Sequence, residues 1–463
     1  MNNKNFTWMH IASVRIFLIT LAATLLLSAE APAQNTGLDQ TAMEIAQKMG
    51  VGWNLGNTME GINWRTSKAP IDENYGIGTE THWQGTKTTR EIIQYVKQQG
   101  FSSIRIPCNW RCGHITDATT CTIDPAWIDR VKEVVDYCVD EGLYVILNDH
   151  YDGGWLEQHI TDTGNAKETN KQKLNILWTQ IAEAFKDYDE HLLFAGLNEP
   201  NAENQSATNN LIEYEQVFID AVRATGGNNT RRVLIVQGPS TDIDKTYSYF
   251  DITQLQDPTP DRLCVEIHFY YPWNFWGMTQ DESWGNCFYY WGSGNHVSGS
   301  KHNATYGEEN DMKKQAQKLK SKFVDKGVPV INGEFGVIWR AISGANESQE
   351  KHNASIKAYY KYMVETCLPN GIVPFAWDTN WCPAEPRTAD QTPMTIIDRS
   401  HRSIYNPYMM DGIKEGLETA KVTLPTFPKA VDGHTYDLQG RRVDPTNLQR
   451  GIYIQNGRKF IRR

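Results

Sequence analysis

Residues 124–148 read DPAWIDRVKEVVDYCVDEGLYVILN, and this one stretch contains a complete helix-to-strand unit. Asp124 suits a helix N-cap, and Pro125 suits the first helical position, where a missing N–H costs nothing. Over residues 125–141 apolar residues recur at three- and four-residue spacing, and Gly142 ends the helix. Residues 144–148 (Tyr-Val-Ile-Leu-Asn) then run without polar alternation. A strand of that kind is covered on both faces, as in a parallel sheet flanked by helices.

The same unit recurs on either side. Strands are predicted at 51–55, 103–107, 144–148, 193–198, 233–237, 263–270, 328–334 and 372–377. Helical periodicity covers 89–99, 125–141, 170–187, 209–225, 311–325 and 349–367, with a short amphipathic helix at 41–49 ahead of the first strand. Residues 242–255 give only a weak helical pattern. Strand-helix alternation about eight times over predicts an α/β fold of the (β/α)8 TIM-barrel type. An open doubly wound sheet is the alternative, and the lack of a G-x-G-x-x-G turn after a strand counts against it.

The flanks differ from this middle. Lys4 and Arg15 precede an apolar run from 16 to 27, followed by Ala31-Pro32-Ala33. That is the pattern of a cleaved signal peptide over residues 1–33, too short for a membrane span. No cysteine lies near the cleavage pattern, so a lipid anchor is not expected. Residues 34–424 form the predicted catalytic domain. Pro425 and Pro428 open a linker and a short β-rich C-terminal tail, 425–463. Its last 35 residues hold eight Lys or Arg against three Asp and suggest two or three strands with turns at Asp432-Gly433, Gln439-Gly440 and Asn456-Gly457. This segment resembles the export tails of some Gram-negative secreted proteins. The expected location is therefore outside the cell or on its surface, reached through the periplasm.

The formal net charge of −10 argues against a nucleic-acid partner. Eight cysteines follow the signal region, and Cys112 and Cys121, flanking a short polar insert, are the best candidates for a disulfide. No cysteine–histidine cluster has zinc spacing, so no metal and no organic cofactor are expected. The 15 Trp and 21 Tyr exceed what a core of this size needs. Trp64, Trp83, Trp155, Trp273, Trp276, Trp284, Trp291 and Trp381 fall in predicted loops after strands, where flat rings suit the apolar faces of pyranoses.

Two acids stand at predicted strand ends. Glu199 follows Leu193-Phe194-Ala195-Gly196-Leu197-Asn198, and Glu334 follows Val330-Ile331-Asn332-Gly333. A single glutamate there is often a cap or a salt-bridge partner. Two, on the fourth and seventh strands of a barrel, face each other across its mouth, where barrel active sites lie. Cleavage of a glycosidic bond needs two such carboxyls, and ~5–5.5 Å between them gives a retaining double displacement.

Asn198-Glu199-Pro200 and Gly333-Glu334-Phe335-Gly336 resemble the acid/base and nucleophile motifs of glycoside hydrolase family 5. Five further motifs match in order: Gly52-Trp53-Asn54-Leu55-Gly56-Asn57-Thr58, Ile104-Arg105-Ile106-Pro107, Asn148-Asp149-His150, His268-Phe269-Tyr270 and Ala376-Trp377-Asp378. The resemblance spans roughly residues 41–417 and is nearest the endo-β-1,4-glucanase and xyloglucanase-like subgroup. It implies Glu334 as nucleophile and Glu199 as acid/base. Arg105 and Tyr270 would keep Glu334 ionised, and Glu199 should have a raised pKa. Asn198 would bind the sugar 2-hydroxyl, while His150 and His268 would orient substrate and carboxylates. Trp377 would form a sugar platform, and Asn57 and Trp381 are the best further contacts. One departure stands out: Tyr151 follows His150 where many members carry a second histidine.

The reading is a secreted, monomeric, retaining endo-β-1,4-glucanase acting on a β-linked polysaccharide or oligosaccharide, with cellulose-type glucan first. Xyloglucan, mixed-linkage glucan and glucomannan are its competitors. A glycan-binding protein that has lost catalysis is a rival class, and so is a structural surface protein displayed by the tail. Retention of both glutamates with Arg105, His268 and Tyr270 disfavours the first. The catalytic motifs give the second no support.

Overall fold

The structure is a computed structural model that describes residues 37–62, 68–423, 435–437, 442–443, 451–455 and 458–462. The signal-peptide segment lies outside the described residues. Eight parallel strands close into a barrel: β1 (Gly52–Asn54), β2 (Ser103–Ile106), β3 (Tyr144–Asn148), β4 (Leu192–Ala195), β5 (Leu234–Gln237), β6 (Leu263–Phe269), β7 (Val330–Phe335) and β8 (Ile372–Ala376). Closure is direct, since Gly52 on β1 pairs with both Ser103 on β2 and Phe375 on β8. All eight predicted strands are present, shifted by at most a few residues at their ends.

A main helix follows each strand: α1 (Arg90–Gln98), α2 (Pro125–Asp140), α3 (Gly164–Ala184), α4 (Gln205–Ala224), α5 (Ile243–Tyr249), α6 (Glu309–Lys322), α7 (Gln349–Cys367) and α8 (Pro407–Thr423), with short extra helices at Trp155–His159 and Trp273–Trp276. The caps act as read: the Asp124 side chain accepts from Ala126 N ahead of Pro125. The weak pattern at 242–255 is the short helix α5, capped by Asp242. Helix α8 had no counterpart among the predicted segments. It contains Gly412 and Gly416, which depress helical propensity. Packing explains them: a Cβ there would lie 2.4 Å from the carbonyl of Lys357 and 2.6 Å from that of Lys361, so α8 lies tight on α7.

Inside the barrel the layers differ. The N-terminal end is apolar, with Ile146, Leu193, Ile235, Ile331, Val373 and Phe375, and the helix Ala42–Met49 plugs it with Ala42, Ile45, Ala46 and Met49. Thr41 and Glu44 form a reciprocal capping box that fixes the start of this plug. The C-terminal end is polar and fully buried, lined by Asn54, Arg105, Asn148, Gln237 and Glu266.

Two expectations are corrected here. Among the described residues the tail has four strands, not two or three: an antiparallel sheet in the order Arg442–Val443, Thr435–Asp437, Gly451–Gln455, Arg458–Arg462. All eight cysteines are free thiols, including Cys112 and Cys121. Cys112 is held by its own N–H donating to Asp152 at 2.6 Å, while the carbonyl of Cys121 accepts from Gln180 at 2.9 Å. Backbone bonding thus secures the polar insert on both sides.

Candidate active site

The polar layer forms the floor of an open cleft of about 700 Å³ at the C-terminal mouth of the barrel. Asn57, Glu199, His268, Tyr270, Glu334, Trp377 and Trp381 all line it. Arg105 and Asn198 lie just below, and His150 stacks beside Trp377 with ring centroids 5.8 Å apart.

Arg105 is the hub. Its guanidinium is wholly buried on β2. Nη1 donates to Glu334 Oε1 at 2.9 Å and Asn54 Oδ1 at 3.1 Å, Nη2 donates to Asn198 Oδ1 at 2.9 Å, and Nε pairs with Glu266 Oε1 at 3.0 Å. A rigid fork with five N–H groups suits such a junction, and a lysine could not serve all four partners. Tyr270 donates to the other oxygen of Glu334 at 3.0 Å. His268 Nδ1 lies 2.6 Å from Glu199 Oε1 and 3.9 Å from Glu334 Oε1. One carboxylate oxygen each from Glu199 and Glu334, with a His268 ring nitrogen, lie within 4.8 Å of one another.

Local structure aims these groups. Glu334 is the penultimate residue of β7, at a register irregularity where His268 and Glu334 face each other across β6 and β7. Bulges of this kind beside active sites redirect side chains. Glu199 is not at a strand end as predicted, because β4 stops at Ala195 and Glu199 lies on the following loop. Asn57 has a left-handed backbone (φ 57°) and its N–H is held by the Glu60 carboxyl.

The protonation pattern reverses the expectation. Burial works to raise the Glu199 carboxyl, but the hydrogen bond and charge of His268, with the charge of Arg105, outweigh it and hold it below the ordinary range. Burial raises the Glu334 carboxyl, and the opposing charges of His268 and Arg105 do not cancel it. The physical reason is placement: His268 points at Glu199, whose side chain is 42% exposed against 8% for Glu334. Burial disfavours the imidazolium, yet Glu334, Glu199 and Glu266 together lift His268 to about 10. These charges favour the imidazolium form of His268. His150 is held neutral by burial and by the charges of Arg105 and His268.

A cation could in principle bridge Glu199, His268 and Glu334. Both oxygens of Glu334 are already hydrogen-bonded, and Arg105 puts a fixed positive charge 2.9 Å away. The donor set suits a sugar better than a metal.

Of the loop tryptophans, Trp64 lies outside the described residues; Trp83, Trp276 and Trp381 line the cleft with Trp377, whereas Trp155 and Trp291 are core residues. Trp273 and Trp284 are exposed but are not among the lining residues. Tyr151 also lies off the cleft, its hydroxyl accepting from Gln158 at 3.2 Å. The sequence reading missed Glu266 and Glu157. Glu266 could have been found, since it lies two residues before His268 and alternate strand residues share a face. Glu157 lies in the loop after β3 and accepts at Oε1 from Asn198 Nδ2 at 2.8 Å and Glu199 N at 3.1 Å.

Comparison with known proteins agrees with this geometry. Residues 68–382 match the model of the cellulases, glycosyl hydrolase family 5. A xyloglucan-specific endo-beta-1,4-glucanase of Bacteroides ovatus is 37% identical over 398 residues, 83% of this chain and 72% of that one. Endoglucanase A of Paenibacillus barcinonensis is 31% identical over 435 residues, 90% of this chain and all of that one. A xyloglucan-specific beta-1,4-glucanase from a ruminal metagenomic library, solved with the oligosaccharide XXLG, superposes with a TM-score of 0.72 at 43% identity, covering 82% of this chain and 97% of that one. Barrel, cleft and matches converge: the chain is a glycoside hydrolase and belongs to glycosyl hydrolase family 5, the cellulase family.

Proposed function

We propose that the protein is a retaining endo-β-1,4-glucanase in which Glu334 is the nucleophile and Glu199 the acid/base. The observation that carries this is that one oxygen of each carboxylate lies within 4.8 Å of one of the other's, which favours the ~5–5.5 Å spacing of a retaining pair over the ~6.5–9.5 Å that leaves room for a water between the two groups. Glu334 attacks C1 of the sugar, and the bond from C1 to the leaving oxygen breaks as that oxygen takes a proton from Glu199. Glu199, now a carboxylate, takes a proton from water. The resulting hydroxide adds to C1 and frees Glu334.

Glu199 must hold a proton at the first step, although His268 and Arg105 hold its pKa down without substrate. A bound glucan dries the exposed edge of Glu199, which raises its pKa. The proton in the 2.6 Å contact then passes from His268 Nδ1 to Glu199. Asn198, with Oδ1 on Arg105, keeps an N–H for the sugar 2-hydroxyl. Trp377, Trp381, Trp83 and Trp276 supply stacking faces for a chain longer than one ring.

Cellulose-type glucan is the lead substrate. Xyloglucan is the second reading, favoured by the two xyloglucan-specific relatives named above. Export rests on the leader composition of residues 1–33, with the basic tail as a sorting segment. Among the described residues no helix is long and apolar enough to cross a membrane.

The test is reducing-sugar release from a soluble cellulose derivative, xyloglucan, mixed-linkage glucan, glucomannan, mannan and xylan, with Glu334→Gln in parallel. Release from a glucan should fall by several orders of magnitude in the variant, and proton NMR should show the β-anomer first. An active Glu334→Gln enzyme, or the α-anomer first, would overturn the assignment.

A further inference from the structure

Strand β4 ends at Ala195, yet the loop beyond it must present Asn198 and Glu199 at fixed positions. The backbone N–H groups show how it is held. Gly196 N donates to the carbonyl of Ile235 at 3.0 Å, Leu197 N to the side chain of Gln237 at 2.8 Å, and Glu199 N to Oε1 of Glu157 at 3.1 Å. The same Oε1 accepts from Asn198 Nδ2 at 2.8 Å, and the main-chain carbonyl of Glu157 accepts from Asn201 N at 3.1 Å. One residue from another loop thus replaces the missing ladder on both sides of Glu199.

Glu157 is itself fixed. It lies in the short helix Trp155–His159, entered through Gly153 and Gly154 with left-handed φ of 71° and 79°. Just before that turn, Asp152 accepts the N–H groups of Trp110, Arg111 and Cys112. Trp155 donates its indole N–H to Asn170 at 2.9 Å. These ties leave the Glu157 carboxyl little freedom.

We infer that Glu157 is a positioning residue, an acceptor that holds Glu199 and Asn198 in line with the glycosidic bond; this rests on the reading of Glu199 as acid/base. Its charge state suits the task. Burial pushes the carboxyl up to about 8, against the Asn198 hydrogen bond and with the help of the Glu199 charge. Near neutral pH it accepts as an uncharged group and adds no second negative charge beside Glu199. An amide oxygen can do the same.

The test compares kcat/KM for phenyl β-cellobioside, whose leaving group needs a proton, with 2,4-dinitrophenyl β-cellobioside, whose leaving group does not. Glu157→Met fills the volume without an acceptor, and Glu157→Ala removes both. Both should slow the phenyl substrate by about 10–100-fold, a large part of what general acid catalysis supplies. The dinitrophenyl substrate should lose less than about threefold, because Asn198 stays held by Arg105. Glu157→Gln should restore most of the lost rate. Equal losses on the two substrates, or a Gln variant no better than Met, would show a structural role only and overturn the inference. Glu199→Ala is the control for the underlying reading. It should slow the phenyl substrate far more than the dinitrophenyl one, and a failure to do so removes the acid/base assignment itself.

Discussion

Replacing Gly333 with alanine should damage stability and catalysis through one atom. The new Cβ would lie 1.9 Å from Oε1 of Glu266, where ordinary contact begins at 3.4 Å, so that oxygen must withdraw by about 1.5 Å. The backbone at Gly333 is outside the left-handed region, so contact alone sets the cost. Oε1 cannot withdraw freely. It holds Arg105 Nε at 3.0 Å and His268 Nε2 at 3.3 Å, while Oε2 is tied to Gln237 at 2.6 Å. Overpacking costs about 1–3 kcal/mol, and breaking a buried ion pair about 3–5. A loss of about 2–4 kcal/mol in urea-denaturation free energy is therefore expected, with kcat reduced at least about tenfold because Arg105 holds Glu334 and His268 lies beside both carboxylates. Glu266→Asp shortens the acid and withdraws it from the added methyl. In a double-mutant cycle Gly333→Ala/Glu266→Asp should be less destabilised than the two single losses combined. A Gly333→Ala protein within about 0.5 kcal/mol of wild type, or a cycle in which the losses simply add, would refute the reasoning.

Three further outcomes are expected. Arg105→Lys keeps a charge but serves one or two of four partners, so it should lose about 3 kcal/mol of stability and most activity, measured by denaturation and reducing-sugar assay. Trp381→Ala removes a stacking face 46% exposed in the cleft; KM for a soluble glucan should rise about tenfold with kcat little changed. Buried His114, stacked on Trp127 at 3.7 Å, is depressed by burial to about 3. Its folded pKa is below the unfolded value near ~6.5, so its contribution is complete above that pH and lost as pH falls toward 3, at up to ~1.4 kcal/mol per pH unit. His114→Phe should flatten that acid limb in a pH series of urea melts, and an unchanged slope would refute it. His268 has the opposite sign: its folded pKa of about 10 makes its contribution complete below ~6.5 and lost as pH rises through 10.

The strands were legible because a strand covered on both faces leaves a continuous apolar run, as at residues 144–148. Helix α8 was not, because Gly412 and Gly416 serve a close approach to α7 that no local pattern reveals. The side chains of the site were legible through motifs that put Asn57, Arg105, His268, Tyr270, Glu334 and Trp377 on or just past barrel strands, and Glu199 on the loop after β4. What stayed hidden depends on contacts across the barrel. Glu157 and Asn198 are 41 residues apart, and no spacing rule joins them. The inverted protonation follows from which carboxylate His268 faces, a matter of rotamers rather than order.

The plug at the N-terminal end of the barrel has a consequence for assembly. Its residues Ala42, Ile45, Ala46 and Met49 share one cluster with Val373 and Phe375 of the last strand. The first helix described in the chain thus waits for the final barrel strand before it can bury its apolar face. Contacts of such long sequence separation slow folding, since a large loop must close before they form. The barrel interior cannot be sealed until nearly all of the domain is available, so shortening the chain ahead of β8 should leave a protease-sensitive, open assembly rather than a smaller folded enzyme.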